Sequence, residues 1–418
     1  RGVSPMTAPL AGIRVLDLTM VWAGPMGTRL LGDYGAEVIK IEGPKQWDLL
    51  RGLGRMPRTE ERWYNKAAYF NHNNRNKYST ILDLQTNRGR ELFLKLVSIS
   101  DVLVENYRAD VMQKLLLVYE EIRSVNPKII YLSMPGHGKT GPESGYVTYG
   151  TNVEQLAGLV SISGYENGEP TKTGFSYGDP MSGTAAPAAV ALGLRQLRLT
   201  GSGVFIDMAQ RENLTCLVGE YLVDYSMNNI LRNPIGNRNN QFAPHNCYPS
   251  GGENCWVTIA CETNAQFAKL CTIMEQPDLA TDPRFETIEA RKKNEDLLDE
   301  IIKTWSLKHG HYETMHNLQR AGIPSGAVLT IPEIMSDPQM RSRNAWAEHS
   351  HPDAGTWEME TPPWLLSRTP GSVRLPAPGY AEHNEYVFAD LLGLSDTEIA
   401  ALHEEGVTAL SPDIKSHT

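Results

Sequence analysis

Residues Ile13–Glu42 read "IRVLDLTMVWAGPMGTRLLGDYGAEVIKIE". "IRVLDL" (Ile13–Leu18) is a short apolar run that predicts a buried strand. "GPMGTRLLGDYG" is a glycine-bounded helix and "AEVIKIE" (Ala36–Glu42) a second strand. Further along, "STILDL", "DVLVEN" and "KIIYLSM" repeat the strand pattern with helices between them. Such alternation predicts an α/β fold with a doubly wound, Rossmann-like parallel sheet. Near residue 200 it breaks: "TGSGVFIDMAQRENLTCLVGEYLVDYSMN" begins as a strand and becomes a long helix. Beyond it, "CWVTIAC" and the amphipathic "NEDLLDEIIKTWSL" mark a smaller α/β domain. The expected division is a large domain over 1–215, a linker over 216–244, a small domain over 245–325, and a linker with return to the large domain over 326–418.

Composition narrows the function. With 418 residues, 41% hydrophobic and 21% charged, the chain is long enough for two globular domains. A formal net charge of -10 without any Lys/Arg-rich block argues against nucleic-acid partners. No stretch approaches the roughly 18 uncharged apolar residues of a membrane span, and the first residues lack an apolar signal core; no membrane partner and a cytoplasmic location are expected. The five cysteines are odd in number and form no CxxC pair, so neither a disulfide framework nor a metal site is expected. His245 and Cys247, two residues apart, read as loop and core residues.

A parallel sheet with Glu42 closing its second strand admits a dinucleotide reading, the carboxylate resting on a ribose. The turn opposes it. "WAGPMG" offers Gly24 and Gly27 but no GxGxxG, and Pro25 removes a backbone donor that a pyrophosphate would use. An NAD-dependent oxidoreductase stays as the alternative from another class.

The ordered set "LAGIRVLDLTMVWAGPMGTRLLGDYGAEVIKIEGP", "NNRNKYSTILDL", "DVLVENYRADVMQKL", "NPKIIYLSMPGHGKTGP", "TGSGVFIDMAQRE" and "AGIPSGAVLTIPEIMSDPQMRSRN" resembles the class III, formyl-CoA-transferase-like family of CoA-transferases, over residues from about 8 to 407. The resemblance implies a ring-shaped subunit threaded through its partner in an interlocked dimer, the partner being an identical chain or a paralogue. It also implies acyl-CoA and carboxylic acids as substrates, coenzyme A as the shared carrier, and an aspartate as covalent nucleophile.

In "YGDPMSGTAAPAA" that aspartate is Asp179. By local sequence Asp179 is a helix N-cap followed by Pro at the first helical position, with the helix running from Met181 to Arg195. The two roles are compatible, because a helix N-terminus favours the carboxylate anion. Transfer of CoA between acids without ATP needs the acyl energy stored, and a side-chain carboxylate stores it as a mixed anhydride and then as an aspartyl-CoA thioester. Both hydrolyse readily, so water has to be excluded. Related transferases do this with a glycine-rich loop; the matching stretch, "QFAPHNCYPSGG" (241–252), carries Phe242, Pro244 and His245 instead.

By resemblance, contacts to CoA fall on Val21, Trp22, Ala23, Arg75, Lys77, Asn106, Tyr107 and Lys114. Asn106 and Tyr107 follow a strand's carboxyl end, where open sheets bind ligands. Gly43 stands where some members carry an arginine, so Lys45 or Arg51 is expected to meet the CoA phosphates. Trp22, Asn152, Phe242 and His245 are the candidate substrate and loop contacts. "GTN" (150–152) lacks the Tyr-Glu pair of the formyl type and has no ionisable group for the acid–base exchange of the related racemases.

Trp22 replaces a glutamine of the formyl-type enzymes and suits an apolar or aromatic acyl group. With "YGTNVEQLAGLVSISGY" and "IDMAQRE", this points to the succinyl-CoA:benzylsuccinate branch, with succinyl-CoA as donor. Other class III transferases (carnitine, formyl/oxalate or mesaconate type) are the alternatives, with an acyl-CoA racemase or a non-catalytic paired subunit behind them.

Overall fold

The structure, a computed structural model, describes residues 8–53, 57–166 and 168–414. Two compact units divide the chain. The first comprises the residues up to Val160, Lys172–Ile230 and the residues from Arg341 onward; the second comprises Ser161–Thr171 and Leu231–Met340.

In the first unit, strands and helices alternate as β1 (Arg14–Asp17), α1 (Ala23–Asp33), β2 (Glu37–Glu42), α2 (Ala68–Asn74), β3 (Lys77–Ile81), α3 (Asn87–Ser98) and β4 (Val102–Glu105). Then follow α4 (Val111–Lys114), α5 (Tyr119–Val125), β5 (Ile130–Ser133), α6 (Gly150–Leu156), α7 (Gly178–Thr200), β6 (Val204–Asp207), α8 (Gln210–Thr215) and α9 (Gly219–Asn228). The six strands form one sheet, every pair parallel, in the order β3-β2-β1-β4-β5-β6.

The apolar runs are continuous because both faces of the sheet are covered. Leu16, Ile39, Leu103 and Tyr131 pack with Leu92, Phe93 and Leu96 of α3 and Ile122 of α5. On the opposite face Val15, Val38, Val104 and Leu132 pack with Leu31 of α1 and Ala186 and Val190 of α7. This is the doubly wound α/β sheet expected from the alternation.

The small residues of α1 and α7 have a steric purpose. A Cβ on Gly27 would lie 2.7 Å from the Cβ of Ala186, and one on Gly183 would lie 2.7 Å from the Ala23 carbonyl. The two helices therefore cross almost backbone to backbone, which fixes where their N-termini lie. α7 begins at Gly178, with Tyr177 as N-cap, so Asp179 is the second helical residue and Pro180 the third. This corrects the reading of Asp179 as the cap: its side chain is directed away from its own helix end to other donors, described below.

The second unit holds an antiparallel sheet, β7 (His245–Pro249), β8 (Trp256–Ala260) and β9 (Ser325–Val328), in that order. Its core gathers Tyr248, Val257, Ile259, Phe267, Phe285, Leu298 and Trp305. The stretch 241–252, expected as a loop, contains β7: its alternation buries Tyr248 against this core, and His245 pairs with Ala260. The unit boundaries also differ from the expected 216–244 linker. α8 packs on α6 and α7, and with α9 it belongs to the first unit.

Among the described residues no helix is long and apolar enough to cross a membrane. All five cysteines are free, and no group of three or more His, Cys, Asp or Glu residues among those described could hold a metal ion.

Candidate active site

The sheet order reverses between β1 and β4, the place where open α/β sheets leave a crevice at their carboxyl ends. Asn106, just past β4, spans it: its Oδ1 accepts the Met20 N–H at 2.8 Å and its amide donates to the Met20 carbonyl at 2.8 Å. The crevice opens into a cavity of about 270 Å³ lined by Met20, Ile41, Gly43, Gln46, Leu82, Leu84, Tyr107, Val111 and Leu115, among others. Its walls are largely apolar and suit a flat ring system rather than a free anion.

Beyond Met20 the chain turns into α1, and here lies Asp179. Its half-buried carboxylate accepts backbone N–H groups of Ala23 and Gly150, the first residues of α1 and α6. Asp179 itself sits in the first turn of α7. Two helix N-termini, those of α1 and α6, thus converge on one carboxylate, a natural setting for an anion.

Burial opposes the charge. Desolvation is the largest influence on Asp179 and the nearby Glu154 carboxylate adds to it, so its pKa is pushed up to about 6 despite the two N–H donors. At pH 7 the group is still roughly nine-tenths anionic, since one unit of pH is a factor of ten. The result is a carboxylate that is charged yet poorly solvated, as nucleophilic attack requires.

Gly150 cannot be replaced without moving the acid, because a Cβ there would lie 2.2 Å from Asp179 Oδ2. Glu154, fully buried on α6, braces the approach to α7: it accepts the Tyr177 N–H at 2.5 Å and the Thr173 hydroxyl at 2.9 Å. An aromatic wall completes the surroundings. Trp22 meets Tyr69 edge to face at 5.2 Å and Phe175 at 6.2 Å, and Phe175 meets Tyr177 at 5.8 Å. Burial, reinforced by the Asp179 charge, holds the Tyr69 phenol strongly protonated. The indole N–H of Trp22 is buried and has no hydrogen-bond partner among the described residues.

Of the residues expected from the sequence, Trp22, Ala23 and Asp179 come together, and Val21, Asn106 and Tyr107 flank them at the crevice. Others lie elsewhere. Arg75 and Lys77 are wholly buried and bound to Asp33 and Asp17 at 2.8 and 2.9 Å. Both charges are spent inside the unit, which takes them off the list of phosphate contacts. Arg51 is likewise buried against Glu42 at 2.8 Å. The same pairing removes Glu42 from any ribose and with it the main support for the dinucleotide reading.

Lys114 is exposed and pairs with Asp110 at 2.6 Å. Asn152 accepts the Tyr149 N–H at 2.6 Å, bracing the start of α6. Phe242 and His245 belong to the second unit, their rings 5.5 Å apart, with His245 Nδ1 2.6 Å from the Asn237 carbonyl. Gly150, Glu154, Tyr69 and Phe175 were missed. Nothing periodic marks them; only the Tyr-Gly pairs at 149–150 and 177–178 stand out, the tyrosine preceding and the glycine opening each of the two helices.

The model of "CoA-transferase family III" matches residues 10–384. The chain is 33% identical to succinyl-CoA–D-citramalate CoA-transferase of Chloroflexus aurantiacus, over 96% of this chain and 98% of that protein. It is 31% identical to succinate–glutarate CoA-transferase of Agrobacterium fabrum, over 92% and 96% of the two chains. The crystal structure of a CaiB/BaiF family protein from Brucella suis superposes with a TM-score of 0.84 at 29% identity, over 92% of this chain and all of that one. A family match over most of the chain and relatives aligned end to end agree: this protein is an enzyme belonging to CoA-transferase family III.

Proposed function

We propose that the protein moves CoA from succinyl-CoA to a second dicarboxylic acid through covalent intermediates on Asp179. The observation that carries this reading is the clasp itself, a desolvated aspartate held by N–H groups of two helix N-termini beside the sheet crevice. In this reading a carboxylate oxygen of Asp179 attacks the thioester carbonyl, the C–S bond breaks, and CoA leaves as thiolate. The anhydride is opened at the Asp179 carboxyl carbon by that thiolate, releasing succinate. The acceptor carboxylate then displaces the thiolate from Asp179, and the thiolate's return to the acceptor acyl carbon frees the aspartate. Each step exchanges one acyl bond for another, so no ATP is needed.

The unspent Trp22 N–H supports a second role: it can donate to an oxygen that becomes negative during attack, or to the distal carboxylate of a diacid. The wall of Trp22, Tyr69 and Phe175 favours an acceptor with an apolar branch, and benzylsuccinate is the acceptor we propose. The names of the relatives support succinyl-CoA as donor and dicarboxylates as a class. The apolar cavity beside Tyr107 suits the nucleoside end of CoA, and Lys45, exposed next to Gly43 and Gln46, is our choice for its phosphates.

A second copy of the chain is proposed to cover the exposed apolar residues of α7 and α9, among them Leu192, Leu199, Val223 and Met227. Sedimentation at nanomolar concentration should then show a dimer; a stable folded monomer contradicts the interlocked arrangement. The activity is tested by incubating the protein with succinyl-CoA and a panel of diacids including benzylsuccinate, citramalate and glutarate. Formation of the acceptor's CoA thioester with equal release of succinate supports the reading; hydrolysis alone, with no acceptor converted, overturns it.

A further inference from the structure

The turn between β1 and α1 is held in an unusual shape. Val21 has φ of +67°. A β-branched side chain rarely adopts this left-handed conformation, which persists only where the surroundings impose it. Those surroundings can be named. Thr19 N–H is held by Asp17 at 2.9 Å and the Thr19 carbonyl by the Lys40 ammonium at 2.8 Å. Met20 is fixed at both polar backbone groups by Asn106. The Val21 N–H goes to Asp48 Oδ1 at 3.1 Å.

Asp48 is itself wholly buried and firmly oriented. Oδ1 also accepts the Leu50 N–H at 3.0 Å, Oδ2 faces Lys40 Nζ at 2.9 Å, and the Asp48 N–H donates to Glu42 at 2.9 Å. Two residues beyond Val21, the Ala23 N–H points at Asp179. With Met20 pinned on one side and α1 packed against α7 on the other, the dihedrals of Val21 set the path of Trp22 and Ala23.

We propose that Asp48 is a positioning residue for the transfer reaction: by holding the Val21 N–H it keeps the turn in its left-handed shape, so that Ala23 and Trp22 face Asp179. Asp48 touches neither the acid nor the substrate; it acts through Val21. This rests on the reading of Asp179 as nucleophile. It carries a signature that ordinary structural support does not, because glycine adopts positive φ without steric cost and so does not need the clamp.

The test is a double-mutant cycle on the full chain, with kcat and KM for succinyl-CoA measured for the wild type, Asp48→Ala, Val21→Gly and the double variant. Asp48→Ala should lower kcat at least tenfold with a smaller change in KM, and Val21→Gly in the same chain should recover at least threefold of that loss. Unchanged kcat in Asp48→Ala, or a double variant no faster than the product of the single effects, overturns the proposal. Should Asp48→Ala fail to fold, Val21→Pro serves instead. It forbids positive φ and removes the N–H while leaving the Lys40 and Leu50 contacts of Asp48 in place, so it should lose transfer at least a hundredfold; near-normal transfer overturns the proposal. Covalent trapping in the wild type is run alongside. If no label reaches Asp179, the nucleophile reading and this proposal fall together; if Asp179 is labelled but no coupling appears, only the role of Asp48 falls.

Discussion

Replacement of Gly150 by alanine separates a chemical role of the Asp179 clasp from a merely structural one, because the two make opposite predictions. Gly150 is the first residue of α6 and is not among the glycines with positive φ, so an alanine backbone fits there. By helix propensity alone, alanine should stabilise the helix by up to about 1 kcal/mol. The added Cβ, however, would lie 2.2 Å from Asp179 Oδ2, 2.6 Å from its Cγ and 3.0 Å from its backbone N, whereas ordinary contact begins near 3.4 Å, so the start of α7 gives by a few tenths of an ångström and the side chain by far more. The carboxylate must swing away by more than an ångström, and in doing so it leaves the Gly150 N–H. Loss of one preorganised donor at a reacting centre costs roughly 10²–10³ in kcat, or about 2.7–4 kcal/mol. Gly150→Ala should therefore fold with a melting temperature close to that of the wild type while kcat for CoA transfer falls by at least a hundredfold. Steady-state transfer from succinyl-CoA, read by chromatography of the CoA esters beside a thermal melt, measures both. A variant with kcat within threefold of the wild type would refute the reasoning, since the clasp would then be dispensable.

Other consequences follow from the electrostatics and the wall. Because burial raises the Asp179 pKa to about 6 and the proposed attack needs the anion, kcat/KM should fall as pH drops through about 6 and be level above it. Removing the neighbouring charge with Glu154→Gln should move that limb to lower pH; an upward shift contradicts the account. In Asp179→Asn, transfer should drop by several orders of magnitude. The folded chain carries its ionised Asp179 at a cost, so this variant should be no less stable than the wild type at pH 7, and any advantage should vanish below about pH 4, where the acid is protonated folded or unfolded. Trp22→Gln should weaken kcat/KM for benzylsuccinate by about 1–3 kcal/mol and for succinate by less; equal losses would mean that Trp22 does not read the acyl branch.

How much of this was legible in the sequence depended on how local the cause was. The strands at Arg14–Asp17, Glu37–Glu42 and Val102–Glu105 were legible because a parallel sheet covered on both faces demands unbroken apolar runs. The start of α7 was read two residues late: Asp179 has the composition of a cap, but the helix begins at Gly178, and the partners of Asp179, Ala23 and Gly150, are distant in sequence. Arg75 and Lys77 looked like ligands for phosphate because their acids, Asp33 and Asp17, lie 42 and 60 residues away. Tyr69 and Phe175 join Trp22 only through packing. Residues 161–171 fall with 231–340 in one compact unit although nothing in their composition distinguishes them.

Covalent capture tests the central claim most directly. The wild-type protein is incubated with succinyl-CoA and no acceptor, quenched with hydroxylamine or with borohydride, digested, and mapped by peptide mass spectrometry. Hydroxylamine converts an aspartyl anhydride or thioester to a hydroxamate and borohydride reduces it to an alcohol, whereas a free side-chain carboxylate reacts with neither. The account predicts one modified residue, Asp179, dependent on acyl-CoA and absent from Asp179→Asn. Modification at another residue, or transfer at full rate with no modified residue, would contradict it.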